Sequence, residues 1–337
     1  MTIEYTTASW NTLVGCEAHS VGCHSCYAAR EAGTRLAHIP AYAGLTIKRA
    51  DGGFAFNGTV RFLEDRLDQP LRKTKPQRYF VCSTSDMFFE GVKDEWRDKI
   101  MAVMLLSPWH TYLLCTKRPE KAYEYLTAPD LYERVLYQAA PIRAARPGLC
   151  SVGVSDPTKG PFQPWIWWGT SAERPKEFKE RIGWLRRLPV ARRWLSLSPL
   201  LEEIPLDGEL QGWGSESQDT GNLAQIDFAV LEGESGPNAR RCDCGWLRRM
   251  IASCKAQGTV AYLKQLGEHS TDVETPNTHT GECSVGESHV GRRGHAARAE
   301  ECWPTDLRGN KQLPAFWQPD VATQLHFPTM ARKRKEK

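Results

Sequence analysis

Short apolar runs alternate with helix-length amphipathic segments from one end of the chain to the other. The runs show little apolar/polar alternation, which is typical of strands buried on both faces of a parallel sheet. They are TIEYTT (2–7), RYFVCS (78–83), TYLLCT (111–116), WIWWGT (165–170), RRWLSL (192–197), DFAVLEG (227–233) and TVAYLK (259–264). Apolar residues at helical spacing predict helices between the runs, over 94–106, 118–126, 174–188 and 245–257.

This alternation predicts an α/β fold in which parallel strands are joined by right-handed helical crossovers. Seven such strands would form a partial or closed (β/α) barrel, which we expect to occupy residues 1–266. The glycine-rich stretch 208–224 interrupts it as a surface excursion. Residues 267–330 have little periodicity and are expected to form an irregular C-terminal extension, followed by a basic tail at 331–337.

Polar side chains follow six of the predicted strands. In a (β/α) barrel the working face lies where the strands lead into the helices, so these side chains would surround one pocket. Any one of these side chains is well explained as a cap of the following helix. Polar residues at six strand ends, however, favour a shared ligand site. The candidates are Ser83, Ser85 and Asp86; Lys117; Ser171 and Glu173; Ser196; Gly233, Glu234 and Ser235; and Lys264.

Composition excludes several classes of protein. With 41% hydrophobic and 25% charged residues among 337, the chain has enough apolar side chains for a full core, and wholesale disorder is excluded. We find neither an apolar run of membrane-spanning length nor a signal peptide, so we expect a cytoplasmic protein with no membrane partner. The net charge of +4 is supplied by the tail, which carries five bases and one acid. Attraction to nucleic acid would therefore depend on the tail and on local patches.

Three of the eleven cysteines crowd into one stretch, Cys16, Cys23 and Cys26, with the spacing C-x6-C-x2-C directly after the first predicted strand. Cytosolic thiols stay reduced, so metal binding or catalysis is the better interpretation than disulfides. Three thiolates on one loop suit a [4Fe–4S] cluster that keeps one iron open for an external ligand. A structural zinc site completed by His19 or His24, or a chance grouping of buried thiols, is the alternative.

The segment WNTLVGCEAHSVGCHSCYA (10–28) resembles the phage-associated three-Cys-motif family, which is placed near the radical S-adenosylmethionine enzymes. The likeness continues, in the same order, through RLDQPLRKTKPQRYFVCSTSDMFFEGV, LLCTKRPEK, WWGTSAE, WLSLSPLLEEI, LEGESGPNARR and YLKQLGE, and covers roughly residues 5–268. Two features depart from the usual radical S-adenosylmethionine motif. The first gap is six residues instead of three, and Ser25 stands where an aromatic residue is usual.

The resemblance implies a radical-SAM-like barrel with a [4Fe–4S] cluster on the three cysteines and S-adenosylmethionine on the open iron. Reductive cleavage would generate a 5′-deoxyadenosyl radical, with an electron donor such as flavodoxin or ferredoxin. The cofactor-binding candidates are Ser83, Ser85, Asp86, Ser171, Ser196, Gly233, Glu234 and Ser235. The ammonium group of S-adenosylmethionine would lie either at 233–235 or at 83–86.

Three further residues are candidates for catalysis under the same resemblance. Lys264 would act as a base or anion contact, Glu173 would orient ribose hydroxyls or move a proton, and Lys117 would hold a carboxylate or phosphate. The phage-type likeness, the basic tail and the twelve tryptophans suggest a nucleobase substrate, either a hypermodified pyrimidine in phage DNA or a nucleotide precursor. The alternative is a zinc-stapled nucleic-acid-binding module without redox chemistry. A second metal site at Cys283 and Cys302 stays open.

Overall fold

Seven parallel strands form one sheet in the computed structural model, which describes residues 3–146, 163–207, 225–236, 238–271 and 303–314. The strands lie in the sheet in chain order and are joined by helices, as the sequence predicts for an α/β fold. They are β1 (Ala8–Trp10), β6 (Arg78–Val81), β7 (Thr111–Thr116), β8 (Ile166–Ser171), β9 (Arg192–Leu197), β10 (Phe228–Glu232) and β12 (Val260–Gln265).

Short strands and six α-helices accompany this sheet in the described residues. Three two-stranded ribbons pair β2 (Leu13–Val14) with β5 (Arg61–Phe62), β3 (Thr46–Lys48) with β4 (Phe54–Phe56), and β11 (Cys242–Asp243) with β13 (Ser270–Thr271). The helices are α1 (Tyr27–Gly33), α2 (Asp94–Leu106), α3 (Pro119–Leu126), α4 (Leu131–Ala145), α5 (Pro175–Arg187) and α6 (Cys244–Ala256). None of the described helices combines the length and hydropathy needed to cross a membrane.

The sheet is curled into a half barrel, and the ring of Tyr5 measures the curl. In a flat sheet β6 and β12 would be five strand spacings apart, roughly 24 Å. Yet the Tyr5 ring centroid lies 6.4 Å from that of Phe80 on β6 and 5.8 Å from that of Tyr262 on β12. Within the described residues β1 and β12 do not pair with each other, so the barrel is partial and not closed.

Two apolar layers stabilise this sheet, one on each face. The convex face packs against the helices in the larger core, where Leu114 and Trp168 are buried. The concave face carries a smaller, largely aromatic cluster, made of Tyr5, Leu113, Trp167, Trp194, Phe228, Val230 and Tyr262. Because neighbouring residues of a strand point to opposite faces, Trp167 and Trp168 serve different layers. Both are buried packing residues.

Most predicted elements are confirmed within one or two residues, but the first strand is wrong. We predicted it at 2–7, whereas β1 is Ala8–Trp10. The chain turns at Thr6, whose N–H and hydroxyl both donate to the carbonyl of Ile3, and this turn directs Tyr5 under the sheet. The sequence pattern also did not predict helix α4. Pro141 lies inside this helix, and a proline within a sequence usually indicates the end of a helix.

The region expected to be an irregular extension contributes to the sheet. Leu263 of β12 donates its N–H to the carbonyl of Asn310 at 2.7 Å, and Lys311 forms an antiparallel bridge with Tyr262. Trp303 is fully buried. The predicted excursion at 208–224, the tail at 331–337, and Cys283 and Cys302 lie outside the described residues.

Acidification should destabilise the fold through His110, the buried residue that directly precedes β7. Its Nδ1 accepts the N–H of Gln77 and its Nε2 donates to the carbonyl of Pro70, both at 3.0 Å, so the ring is neutral. Burial lowers the pKa of His110 to about 4. The unfolded chain binds a proton below about pH 6.5 and the folded chain does not. This histidine should therefore lower the free energy of unfolding by about 2 kcal/mol between pH 8 and pH 5.

Urea unfolding at both pH values, for the natural chain and for His110→Gln, measures this effect. Carboxylates titrate in both proteins, so the difference between the two pH dependences isolates the histidine. An equal pH dependence in the two proteins would show that His110 is not held neutral.

Candidate functional site

A cavity of about 270 Å³ opens at the carboxyl edge of the sheet, above the concave aromatic cluster. It brings together most of the residues predicted from the strand ends, which confirms that they share one location. The predicted residues that line it are Cys16, Cys23, Cys26, Ser83, Ser85, Asp86, Lys117, Ser171, Ser196, Glu234, Ser235 and Lys264. Glu173 and Gly233 are not part of the lining.

Strand alternation explains why these side chains converge. On β10, Phe228 and Val230 belong to the concave aromatic cluster, and Glu232 continues the same face upward. On β12, Tyr262 is followed two residues later by Lys264. The concave face is thus apolar below and polar above, with the cavity in the polar layer.

The segment carrying the cysteines, residues 15–26 and here termed the cysteine loop, is joined to the end of β6. Gly15 has a φ of +92°, and a Cβ there would lie 2.1 Å from the carbonyl oxygen of Thr59, so only glycine fits. The hydroxyl of Ser85 donates to the carbonyl of Gly15 at 2.6 Å, and the N–H of Gly15 donates to the carbonyl of Thr84. These bonds place Cys16 at the cavity wall.

Cys23 and Cys26 are placed by a short helical turn and by the start of α1. Val21–Cys23 is a 3₁₀ turn, and Cys26 is the residue that precedes α1. The N–H of His19 donates to the Cys23 sulfur at 3.3 Å. The loop therefore curls back so that its second and third sulfurs face the same cavity as the first.

The three thiols differ in how readily they ionise. Burial raises the pKa of Cys16 to about 12 and raises that of Cys26 as well. Burial also opposes ionisation of Cys23, but Lys117 and the N–H groups of His19 and Ser20 hold its pKa below the usual value. The protein alone thus eases ionisation of Cys23 and opposes ionisation of Cys16 and Cys26, which a positive metal would have to favour.

The donor set of this loop fits an iron–sulfur cluster. All three residues are free thiols that line one cavity. Among the described residues, no three His, Cys, Asp or Glu side chains are already grouped closely enough to hold a single metal ion. A cubane cluster binds each thiolate through a different iron, so its ligands are farther apart than those of one ion. Three free thiols that line one cavity therefore suit such a cluster in the chemistry of their donor atoms.

Glu173 holds the cysteine loop from below, although it does not line the cavity. Its carboxylate is completely buried, pairs with the ammonium of Lys117, and lies 3.3 Å from Arg181 and 3.0 Å from the hydroxyl of Ser20. A Cβ on Gly22 would lie 2.4 Å from this carboxylate, so the loop backbone packs directly on it. Burial lowers the pKa of Lys117, and Arg181 lowers it further.

Glu234 holds the same loop from the other side. Its carboxylate accepts the N–H of Arg240 at 2.8 Å and two guanidinium N–H groups at 2.9 and 2.5 Å. A third guanidinium N–H of Arg240 reaches the carbonyl of Val21 at 3.0 Å. Burial raises the pKa of Glu234, but Arg240 outweighs it and Ser25 adds a hydrogen bond, so the net shift is downward.

Asp86 is fully occupied in joining β6 to β7. It accepts the hydroxyl of Thr116 at 2.7 Å, the N–H of Lys117 at 3.0 Å, the guanidinium of Arg118 at 3.2 Å and the N–H of Phe88 at 2.9 Å. The geometry therefore gives its carboxylate a positioning role within the cavity wall. The hydroxyls of Ser171, Ser196 and Ser235 have no hydrogen-bond partner within the described part of the chain and remain available to a ligand.

Gly233 has a packing role in the structure. A Cβ at this position would lie 2.0 Å from the carbonyl oxygen of Leu266, so the two strand ends touch through their backbones. Its predicted contact with a cofactor stays a prediction, since it is not among the lining residues.

Sequence reasoning missed the partners of the predicted residues. Arg181, Arg240, Ser20 and Glu232 each bond to a predicted site residue, yet none follows a strand end as a polar outlier. Arg181 belongs to an amphipathic helix in which a charged residue is expected, and Arg240 lies in a loop. Neither position therefore indicates a functional role. Glu232 is the partly buried last residue of β10, and its signal in the sequence was one of the two acids in the predicted run 227–233.

Comparisons with known proteins identify a family and one distant structure. A search of curated proteins returns no match. Among solved structures, the chain is similar to a spore photoproduct lyase complexed with dinucleoside spore photoproduct, at 11% identity and a TM-score of 0.33. That match covers 73% of this chain and 60% of the lyase. A family model described as "Protein of unknown function (DUF5131)" matches residues 1–308, and the chain therefore belongs to that family.

Proposed function

We propose that this chain is a radical S-adenosylmethionine enzyme that carries a [4Fe–4S] cluster and acts on a nucleobase in DNA or in a nucleotide precursor. One observation carries the proposal. Three free cysteines in C-x6-C-x2-C spacing line a cavity at the carboxyl edge of a parallel half barrel. In barrels of this kind that edge is where ligands bind, so the thiols lie where a reactive cofactor would meet a substrate.

Cys16, Cys23 and Cys26 would hold the cluster. When bound, such a cluster supplies the electron that cleaves S-adenosylmethionine to a radical able to remove a hydrogen atom from a substrate. The chain would contribute binding, orientation and exclusion of water. Glu173 and Arg240 orient the cysteine loop through the contacts described above, and the apolar layer under the cavity keeps water from entering from below.

The hydroxyls of Ser171, Ser196 and Ser235 would hold S-adenosylmethionine. They lie in the cavity with free hydrogen-bonding capacity in the described residues, whereas the carboxylates of Asp86 and Glu234 are already bonded to protein donors. The hydroxyls would suit ribose or a carboxylate as neutral donors. The arrangement makes Asp86 and Glu234 positioning residues in this proposal.

Loss of one cysteine should remove the cluster. The chain reconstituted anaerobically with iron and sulfide should be brown and hold about four iron atoms, and Cys23→Ala should lower the iron content about tenfold, since two thiols do not retain a cubane. Cys254→Ala is the matched control, because that free cysteine is buried in α6 away from the cavity and should not affect iron content. Iron, zinc and sulfide analysis measures the outcome.

Cleavage of S-adenosylmethionine by the reduced, reconstituted chain completes the test. One zinc and no iron per chain would favour the zinc-stapled binding module instead. Full iron content in Cys23→Ala would contradict the assignment of the ligands.

A further inference from the structure

Glu232 and Lys264 form an ion pair that faces the cavity from two adjacent strands. Each continues the concave side of its strand, two residues above Val230 and Tyr262 respectively. The two side chains line the cavity and contact each other directly, with side-chain exposures of 14% and 22%. The pair is therefore largely withdrawn from solvent, and both side chains line the cavity.

Glu232 and Lys264 have fewer protein partners than the three carboxylates that the sequence predicted for the site. Asp86 accepts four hydrogen bonds, Glu234 accepts three from Arg240, and Glu173 is bonded to Lys117, Ser20 and Arg181. Within the described residues, the side chains of Glu232 and Lys264 bond only to each other. A carboxylate has about four acceptor positions and an ammonium has three donors, so most of their capacity is unused.

An ion pair held away from water is stabilising only when its remaining positions are also satisfied. A structural bridge at this place would be expected to gather further protein partners, as the other three carboxylates do. The free positions of Glu232 and Lys264 point to a ligand that fills them. A phosphate or another carboxylate does not suit the pair, because Glu232 would repel it.

The walls beside the pair define the shape of that ligand. Tyr5 and Phe80 line the cavity with aromatic rings, and the hydroxyls of Ser196 and Ser198 lie in the same lining. Burial and, after it, the charge of Glu232 raise the pKa of the Tyr5 phenol, which shows that the ring lies within electrostatic reach of the pair. Aromatic walls accept the faces of flat rings.

We propose that Glu232 and Lys264 bind the lactam edge of a nucleobase, where a ring N–H lies next to a C=O group. Glu232 accepts the N–H and Lys264 donates to the C=O, so the ligand satisfies both charges without separating them. Thymine, uracil and guanine present this edge, whereas adenine does not. The inference names the substrate class of the proposed enzyme and rests on that function for the role of the ligand as substrate.

Calorimetric titration of the reconstituted full chain with thymidine and with 3-N-methylthymidine tests the inference. The methyl group removes the N–H and leaves the rest of the nucleoside unchanged. Thymidine should bind at least tenfold more tightly than its methyl derivative. In Glu232→Met/Lys264→Met, thymidine affinity should fall at least tenfold, while thermal unfolding is retained because apolar side chains of similar volume replace the pair.

Lys121→Met/Glu124→Gln is the control, since it removes an exposed ion pair on α3 and should bind thymidine normally. Equal affinity for the two nucleosides, no binding of thymidine by the natural chain, or full binding by the double variant would overturn the inference. Iron content and S-adenosylmethionine cleavage are measured on the same samples. A natural chain without iron contradicts the proposed function and leaves the titration interpretable, whereas an active chain indifferent to methylation contradicts this inference alone.

Discussion

Glutamine in place of Glu173 is expected to lower the free energy of unfolding by about 3 kcal/mol and to loosen the cysteine loop at the same time. The carboxylate is completely buried, and its partners Lys117 and Arg181 are both cationic. Removing the negative charge leaves Lys117 and Arg181 without the carboxylate that lies between them, which is the costly way to break a buried ion pair. Glutamine has nearly the same shape, so the change in charge is tested without a new cavity.

Urea unfolding measures the first effect, and hydrogen exchange of the amides in residues 17–26 of the metal-free chain measures the second. Glu177→Gln is the matched control on the helix that follows, because Glu177 is also buried but forms its ion pair with Arg174 and has no hydrogen bond to the cysteine loop among the described residues. The control should lose stability without faster exchange in the loop. Unchanged loop exchange in Glu173→Gln would show that Glu173 stabilises the barrel but does not hold the loop.

Much of the fold was predictable because its signals are local. The strands at 111–116 and 192–197 and the helix at 94–106 have the bounds that the sequence predicted. Continuous apolar runs between amphipathic segments have few structural solutions, and parallel strands in chain order are the simplest. Tyr5 was not predictable in the same way, since its place under the sheet depends on contacts with β6, β9, β10 and β12.

The location of the site was predictable, and the roles of its residues were less so. A polar residue after a buried strand reveals its position, because the carboxyl ends of parallel strands meet at one edge. The same signal does not reveal which side chains that polar residue will bond to. Asp86 and Glu234 have the same signal in the sequence as Lys264, yet protein donors saturate the first two and leave the third with one partner. That difference depends on residues distant in the chain, such as Arg240.

Methionine in place of Arg240 should loosen the attachment of the cysteine loop to the end of β10. Arg240 is the only described residue whose side chain bonds both to Glu234 and to the carbonyl of Val21, so its loss weakens the attachment of the loop to the end of β10, where Ser25 still bonds to Glu234. Glu234 would remain buried without its two guanidinium hydrogen bonds, although the backbone N–H of residue 240 would still donate to it. We expect the free energy of unfolding to fall by about 2 kcal/mol because Arg240 itself is one-third exposed. Hydrogen exchange in residues 20–26 of the metal-free chain should accelerate about tenfold.

Arg241→Met separates this effect from the loss of a positive charge. Arg241 is the next residue, is half exposed and bonds to Asp243 and Thr271 instead of the cysteine loop. It should leave loop exchange and iron content unchanged, whereas Arg240→Met should reduce the iron retained after gel filtration and Arg240→Lys should restore part of it. Equal iron retention in both methionine variants would mean that the cluster is held by the sulfurs alone. The contacts that Glu173 and Glu234 make with the cysteine loop would then stabilise the barrel without helping to retain the cofactor.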